Sequence, residues 1–452
     1  MTERRPELNS RRPNFIFIVA DDLGFADLGC YGGRDAKFGP VSPELDRLAA
    51  HGLRFNEGYS NSPVCSPTRF AMITGRWQYR LRGAAEEPIN SRSKGSTTLG
   101  LPPELPTLPS RLRAAGYRTA LIGKWHLGYP PHFSPLKSGY EAFYGPMSGG
   151  VDYFSHCSNT GAHDLFEGET ERHDEGYLTD LLSRRAADYV RRMAGPDNGG
   201  GAAPFLLSLH YTAPHWPWET RDDAHIVDDV KANLFHLHGG NIHTYQRMIH
   251  HMDEGIGWIV DALRETGQLD DTLIVFTSDN GGERFSDNWP LVGGKMDLTE
   301  GGIRVPWIAH WPAGIAPGGV TDQHCLTMDW TATMLDLGGA APLDDCPLDG
   351  VSLAPVLADP SACFERPMHW RMNHRGQRAL RQGRWKYLRV DGHDYLFDIP
   401  ADARERANLG PRQPERLAAM RADWEAWNAS MPPIPEDATV SLGYGAKDMP
   451  QR

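Results

Sequence analysis

The chain has 452 residues, enough for one large domain and a smaller one. Its 58 acidic and 46 basic residues leave a net charge of −12. That balance argues against a nucleic-acid or membrane-surface binder, and it means an anionic ligand must be drawn by local positive charge.

Residues 1–13 are polar and read as a loose tail. Ser10-Arg11-Arg12 resembles the start of a twin-arginine export signal. However, the apolar run from Phe15 to Ala20 is six residues long and Asp21-Asp22 follow it, which is too short for a signal peptide. No apolar run approaches the roughly 20 residues that span a bilayer, so the expectation is a cytoplasmic chain with no membrane partner. The six cysteines, Cys30, Cys65, Cys157, Cys325, Cys346 and Cys363, form no C-x-x-C pair and no disulfide framework.

Asn14 to Val19 is a continuous apolar run rich in β-formers, as expected of a strand buried on both faces of a parallel sheet. Similar runs recur at Tyr117–Ile122, Phe205–Leu209, Leu273–Thr277 and Val305–His310. Helical patterns lie between them at Pro43–His51, Pro67–Arg76, Leu105–Ala115, Leu178–Met193 and Tyr245–Thr266. The alternation predicts an α/β fold, a mostly parallel sheet sandwiched by helices. Pro196–Gly201 reads as a flexible loop from helix to strand. After about Leu343 the character changes. Aromatic runs at Trp385–Leu388 and Tyr395–Phe397 flank Asp391-Gly392, a hairpin signal, and a helix follows at about Glu415–Trp427. The last twenty or so residues carry Pro432, Pro433 and Pro435 and no clear period.

Ligands of such sheets bind outside the carboxyl ends of the strands, where Asp21-Asp22, Lys124, His210–His215 and Asp279-Asn280 fall. Asp21 and Asp22 are adjacent, so only a turn past the strand end aims both at one point. With Asp279 and Asn280 they describe an oxygen-ligated hard cation, Ca²⁺ or Mg²⁺. The competing reading is that these are turn residues capping helices. Cys65 stands at or just before the start of the helix that contains Pro67 and Phe70, and Arg69 shares its face one turn on. That is a reactive group beside a fixed cation at a helix N-terminus, or an inert buried thiol. Lys124 and His126, two apart in an extended segment, fall on one side.

These stretches resemble the formylglycine-dependent sulfatases, of the alkaline-phosphatase-like superfamily. Pro63 to Gly75, with Cys65-Ser66-Pro67-Thr68-Arg69, matches their first signature, and Gly116 to His126 their second. Val19-Ala20-Asp21-Asp22-Leu23-Gly24, Ala213-Pro214-His215, Thr277-Ser278-Asp279-Asn280-Gly281, Gly294-Lys295 and Glu300 to Pro306 follow in the family's order, over about residues 14–410. The resemblance implies a catalytic domain at 14–345 and a C-terminal subdomain at 346–452 built on a short antiparallel sheet and a helix.

It also implies that a maturation enzyme reads Cys-x-Pro-x-Arg and oxidises Cys65 to formylglycine (3-oxoalanine). The hydrated aldehyde joins Asp21, Asp22, Asp279 and Asn280 around one cation, Ca²⁺ or alternatively Mg²⁺. One hydroxyl attacks sulfur and the second releases sulfate. By the same resemblance Lys124 binds the sulfate, His126 serves the formylglycine hydroxyl, and His215 and Lys295 hold the bridging oxygen. Arg69 stabilises the hydrated aldehyde and the cation's ligand sphere. Glu300 and Arg304 read as a structural pair supporting the Lys295 loop.

The expected function is hydrolysis of an aryl or sugar sulfate. A phosphonate monoester or phosphodiester hydrolase on the same machinery is the alternative, and a silent binder of sulfated glycans a third reading. The run His236, His238, His243, His250 and His251 is open between a second metal site and surface or packing roles. Trp216 and Trp218 either line a leaving-group pocket or pack a loop. Gly149–His156 and Arg371–Arg378 are the stretches to watch for substrate selectivity.

Overall fold

The computed structural model describes residues 12–33, 39–81, 89, 93–198, 203–236 and 238–436. The expected tail at 1–11, positions 199–201 of the glycine-rich loop and the irregular end from 437 lie outside the described residues.

The strands of the large sheet are β1 (Asn14–Ala20), β2 (Leu53–Phe55), β4 (Arg118–Gly123), β5 (Ala142–Gly145), β6 (Phe166–Glu167), β7 (Thr170–Glu171), β8 (Phe205–His210), β9 (Thr272–Ser278), β10 (Trp307–His310) and β11 (Gly319–Thr321). Their order is β11-β2-β10-β9-β1-β8-β4-β5-β6-β7. A separate pair joins β3 (Gly58–Tyr59) to β12 (Cys325–Leu326). β9, β1, β8, β4 and β5 run parallel. The strand expected at Val305–His310 starts at Trp307, because Pro306 has no N–H for a ladder. It runs antiparallel to both β9 and β2, so the parallel rule fails at that position.

β1 alternates in register with its two coats. Ile16, Ile18 and Ala20 enter one buried cluster and Phe15, Phe17 and Val19 the other. The first cluster is closed by α1 (Pro43–Ala50), α4 (Leu178–Ala194) and α6 (Ile242–Glu265). The second is closed by α2 (Cys65–Thr74), α3 (Leu108–Ala114), α8 (Thr327–Leu337) and α9 (Ala354–Ala358). α5 (Val227–Ala232) and α7 (Glu300–Ile303) are short. The helix expected from Leu105 starts at Leu108 because Thr107 caps it: Ser110 N donates to Thr107 Oγ1 at 3.1 Å, and Thr107 N to Ser110 Oγ at 2.9 Å. No described helix is long and apolar enough to cross a membrane.

β13 (Met368–Met372), β14 (Gln377–Gln382), β15 (Trp385–Val390) and β16 (His393–Asp398) form a four-stranded antiparallel sheet in chain order. Val390 pairs with His393, so Asp391-Gly392 is the two-residue turn, with φ of 50° and 83°. One face of this sheet packs Met368, Trp370 and Met372 against Tyr59, Val64, Ala71 and Met296 of the larger body. The other packs Leu380, Tyr387 and Leu396 against Met420 and Trp424 of α10 (Pro414–Ala429).

A buried ion network crosses the seam between the sheets. Lys386 Nζ on β15 lies 2.9 Å from Glu300 Oε1 and 2.8 Å from Glu405 Oε1. Tyr59 OH donates to Glu300 Oε2 at 2.8 Å, and Arg304 stands 3.6 Å from the same oxygen. Glu300 and Arg304 are therefore close, as expected, but Lys386 is the nearer partner. Lys386→Met strips the cation from two buried carboxylates, and loss of one partner of a buried pair costs about 3–5 kcal/mol. Urea unfolding is expected to show that loss; a variant as stable as the parent would mean the seam does not depend on this charge.

Candidate active site

Four strand ends converge on one point. β1 stops at Ala20, and Asp22 turns the chain with φ of 63°, so both carboxylates face the same side. Asp22 N donates to Asp279 Oδ1 at 3.3 Å and Leu23 N to Ser278 Oγ at 3.0 Å, tying this turn to the end of β9. Lys124 follows β4. There Gly123, at φ 115°, lies so close to β8 that a Cβ would sit 1.8 Å from the His210 carbonyl oxygen.

α2 starts at Cys65, two residues earlier than expected, so Pro67 sits within its first turn. All ten residues of the helix are buried, Arg69 included. The Arg69 guanidinium reaches Asp279 Oδ2 from Nη2 at 2.8 Å and from Nε at 3.1 Å, and Asp21 Oδ1 at 3.9 Å. Lys124 Nζ meets Asp21 Oδ2 at 2.5 Å. Lys295 Nζ meets Asp22 Oδ2 at 2.7 Å, and His215 Nε2 stands 3.5 Å from the same oxygen. Cys65 Sγ lies 3.4 Å from Asp21 Oδ1 and 4.0 Å from Asp22 Oδ1. Asn280 donates from Nδ2 to Asp22 Oδ1 at 2.7 Å, while its buried Oδ1 has no donor. Nine of the ten residues named from the sequence are thus gathered: Asp21, Asp22, Cys65, Arg69, Lys124, His215, Asp279, Asn280 and Lys295.

The tenth, His126, is buried nearby but makes no hydrogen bond to Cys65. Its Nε2 faces the Ile89 carbonyl at 2.5 Å and its buried Nδ1 has no partner among the described residues. Ile89 N in turn donates to Ser66 Oγ on α2 at 2.9 Å, so the 89 position bridges His126 to the Cys65 helix.

The charges explain the state of each group. Burial pushes the Asp22 carboxyl up, but Lys295, His215 and Lys124 outweigh it and hold it at about 2. Burial and neighbouring Asp21 push Asp279 up to about 6 against the pull of Arg69. Burial, with Lys295 beside it, lowers His215 to about 3, so the imidazole is neutral. Burial also raises the Cys65 thiol well above its usual value despite Lys124 and Lys295. An unmodified Cys65 therefore remains a thiol at neutral pH and is a poor nucleophile.

Asp21, Asp22, Cys65 and His215 bring ligand atoms within 4.8 Å of one another, the one such group among the described residues. The histidine run does not form a second. His236 packs on Trp218, His238 pairs with Asp229 at 3.1 Å and His250 with Glu254 at 3.6 Å. The site fits a hard cation. Its donors other than residues 65 and 215 are oxygens, Asn280 Oδ1 is buried without a partner, and Asp279 is short of positive charge.

Three supports had no role assigned from the sequence, although the first two fall in the stretches His210–His215 and Gly149–His156 named above. His210 Nδ1 stands 3.3 Å from the Lys124 carbonyl. Tyr153 OH donates to the His215 carbonyl at 3.0 Å. Tyr245 OH donates to Asp27 Oδ2 at 2.7 Å beneath the Asp22 turn. Gly149-Gly150 was the available signal for the second. A Cβ at Gly149 would lie 2.5 Å from His126 Cε1, and one at Gly150 3.1 Å from His215 Cε1, so this stretch lies on both imidazoles. The Trp216 ring lies 4.1 Å from that of His215, tilted to it, as a half-buried wall with Phe235, whereas Trp218 is core, against Phe285 and Arg284.

A buried cluster of carboxylates and cations at the strand ends of a helix-coated sheet is a ligand site of the kind such sheets carry, and comparison identifies the family. The sulfatase family profile matches residues 13–340. N-acetylgalactosamine-6-sulfatase of Homo sapiens is 30% identical over 377 residues, which span 79% of this chain and 68% of that protein. Arylsulfatase A of Homo sapiens is 32% identical over 416 residues, 83% of this chain and 75% of that one. The solved structure of Ps i-CgsB in complex with k-i-k-neocarrahexaose superposes with a TM-score of 0.80 at 31% identity, covering 92% of this chain and 93% of the other. The chain belongs to the sulfatase family and is a sulfuric ester hydrolase.

Binding that favours only the folded state adds about 2.7 kcal/mol when the ligand stands at 100 times its dissociation constant. Titrating Ca²⁺ or Mg²⁺ into chelator-treated protein is expected to raise its unfolding temperature, and Asp279→Ala to abolish the rise. Identical melting curves with and without both ions would count against a cation at this cluster.

Proposed function

We propose that this sulfatase hydrolyses sulfate monoesters on a saccharide, with residue 65 converted to formylglycine and one hard divalent cation, Ca²⁺ or alternatively Mg²⁺. Asp21, Asp22, Asp279 and Asn280 would hold that cation. The observation that carries the reading is the buried balance around residue 65: three carboxylates, three fixed cations and a thiol that burial keeps protonated. When present, the formylglycine hydrate and the cation supply an oxygen nucleophile and a Lewis acid for the ester. The names of the relatives support a sulfated sugar, since one is an N-acetylgalactosamine-6-sulfatase and another was solved with a neocarrahexaose.

The roles of the chain's own groups follow from where they point. Arg69 is spent on Asp279 and fixes that carboxylate, which keeps a buried ligand ionised and in place. Lys124 and Lys295 stand on different acids, so their ammonium groups flank residue 65 from two sides and receive an anionic ester between them. His215 Nδ1 lies 2.7 Å from the Trp216 carbonyl, which is a hydrogen bond only with Nδ1 protonated, so the other nitrogen faces the site. His215 and Lys295 converge on one oxygen of Asp22. A bridging ester oxygen in front of them meets the Lys295 ammonium, which offsets the charge that develops as the alcohol leaves, while the site-facing Nε2 of His215, which carries no proton, accepts rather than donates. Trp216 beside His215 gives the alcohol half an apolar wall.

Incubating matured protein with sulfated saccharides and with nitrophenyl sulfate is expected to release inorganic sulfate. Peptide mass spectrometry across Val64–Arg69 is expected to show the thiol replaced by an aldehyde. Fully active protein bearing only unmodified Cys65 would sink the mechanism, and faster turnover of phenyl phosphonate esters would move the assignment to the phosphonate hydrolases.

Leaving-group assistance predicts a second pattern. Lys124→Ala, which loosens the grip on sulfate, is expected to slow all substrates by similar factors. Lys295→Ala is expected to be mild on nitrophenyl sulfate and severe on alkyl or sugar sulfates, so the gap in log kcat/KM widens with leaving-group pKa, whereas His215→Ala, which removes no proton donor from the bridging oxygen, is expected to run parallel to the parent. A parallel line for Lys295→Ala across substituted aryl sulfates would show that it does not assist departure.

A further inference from the structure

The turn between β13 and β14 touches two sites at once. Gln377 accepts from Leu298 N at 2.8 Å and donates to the Met296 carbonyl at 2.8 Å, so it grips the loop that carries Lys295. The same residue lines a pocket of about 570 Å³, closed on its far side by the end of α10 and the segment after it. Arg371, Asn373, Arg378 and Asn428 bring polar groups to this pocket. Trp424, Met431 and Ile434 bring apolar surface, and no Asp or Glu among the described residues lines it. In a chain of net charge −12, a pocket whose described lining has two guanidinium groups and no carboxylate runs against the overall field.

The two arginines differ in what they have left to give. Arg371 is committed to the fold. It donates from Nη1 to Asn428 Oδ1 at 2.8 Å and from Nη2 to the Pro432 carbonyl at 2.7 Å, and it lies 5.0 Å from the Tyr79 ring centre. Arg378 is half-buried, with its guanidinium 4.7 Å from the Trp424 ring centre. It makes no hydrogen bond or ion pair through that guanidinium among the described residues. The ring orients the charged plane while the N–H fork stays available, the arrangement that suits an oxyanion with two acceptor oxygens. Apolar surface beside such a fork matches a sugar ring, which has one C–H face and a charged substituent at its edge.

We propose that this pocket is an outer subsite for a sulfated sugar unit of an oligosaccharide whose scissile ester lies at residue 65. It rests on the saccharide reading above. Gln377 links the two, because the residue lines the pocket and its side chain holds the Lys295 loop. The enzyme then selects oligosaccharides over small sulfate esters through Arg378, a residue outside the catalytic cluster.

The test compares the matured protein with its Arg378→Gln and Arg378→Lys variants. Gln removes the charge and Lys keeps it without the fork. The substrates are nitrophenyl sulfate, a sulfated monosaccharide and a sulfated neocarrahexaose. Calorimetry measures binding of the same hexasaccharide and of its desulfated form. Losing a hydrogen bond to a charged group weakens binding about tenfold, so Arg378→Gln is expected to raise KM and the dissociation constant for the sulfated hexasaccharide by about that factor. The two small substrates and the desulfated hexasaccharide are expected to be unchanged, and Arg378→Lys to recover part of the loss. An equal loss on all three substrates, or an unchanged hexasaccharide affinity in Arg378→Gln, overturns the proposal. Arg378-dependent binding of the sulfated hexasaccharide by a protein that releases no sulfate from any ester would uphold the pocket and reject the saccharide sulfatase reading.

Discussion

Asp21, Asp22 and Asp279 are buried to 2% exposure or less, and a cation from elsewhere in the chain reaches each of them. Arg69 comes from a helix, Lys124 from the end of β4 and Lys295 from the loop beyond β9. An isolated carboxylate in such a place is costly, and a missing partner leaves that cost uncompensated. The three pairs can form only when the ends of β1, β4 and β9 and the start of α2 are all in register. Assembly of the site and completion of the sheet are therefore one event, and Cys65 is held at its centre by contacts it does not itself supply.

The same arithmetic shapes the chemistry. Three positive and three negative groups cancel, so the site has no large field of its own, and burial leaves the Cys65 thiol protonated and Asp279 under-compensated. A divalent cation at these oxygens would tip the balance positive, which is how an acidic protein can hold an anionic ester. The second sheet takes part in this from a distance. Lys386 on β15 neutralises Glu300 at the start of α7, and Gln377 on β14 bonds the backbone on either side of Asp297. The Lys295 loop is thus braced from the C-terminal sheet as well as by its own bonds to the Gly282 and Pro63 carbonyls.

Where expectation and structure part, short-range chemistry explains the difference. Pro67 suits the first turn of a helix, which pointed to a start at 67; the helix begins at Cys65 and uses Pro67 two residues in, still within the turn whose N–H groups need no partner. Leu105 looked helical by its apolar spacing, yet the reciprocal Thr107–Ser110 cap starts the helix three residues later. His126 follows Lys124 in the spacing of an extended segment, but its own φ of 56° turns the backbone there and its ring meets Ile89. The dense histidines around 236–251 are divided between a loop and α6 and take separate partners.

By itself, the sequence determined what periods of two and 3.6 and local turn chemistry can encode. It set the buried strands, the helices between them, the Asp391-Gly392 hairpin, and the polar residues that follow the strand ends, among them Asp21, Asp22, Lys124, Asp279 and Asn280. Only the tertiary structure decided the reversed direction of β10, the pairing of Lys124 with Asp21 and of Lys295 with Asp22, and the side of the molecule on which the Arg378 pocket opens. Residues paired in this way stand 103 and 273 positions apart. No local preference reaches across such distances; the partner of a buried charge is settled by which strands lie side by side, and that order follows from closing a common core.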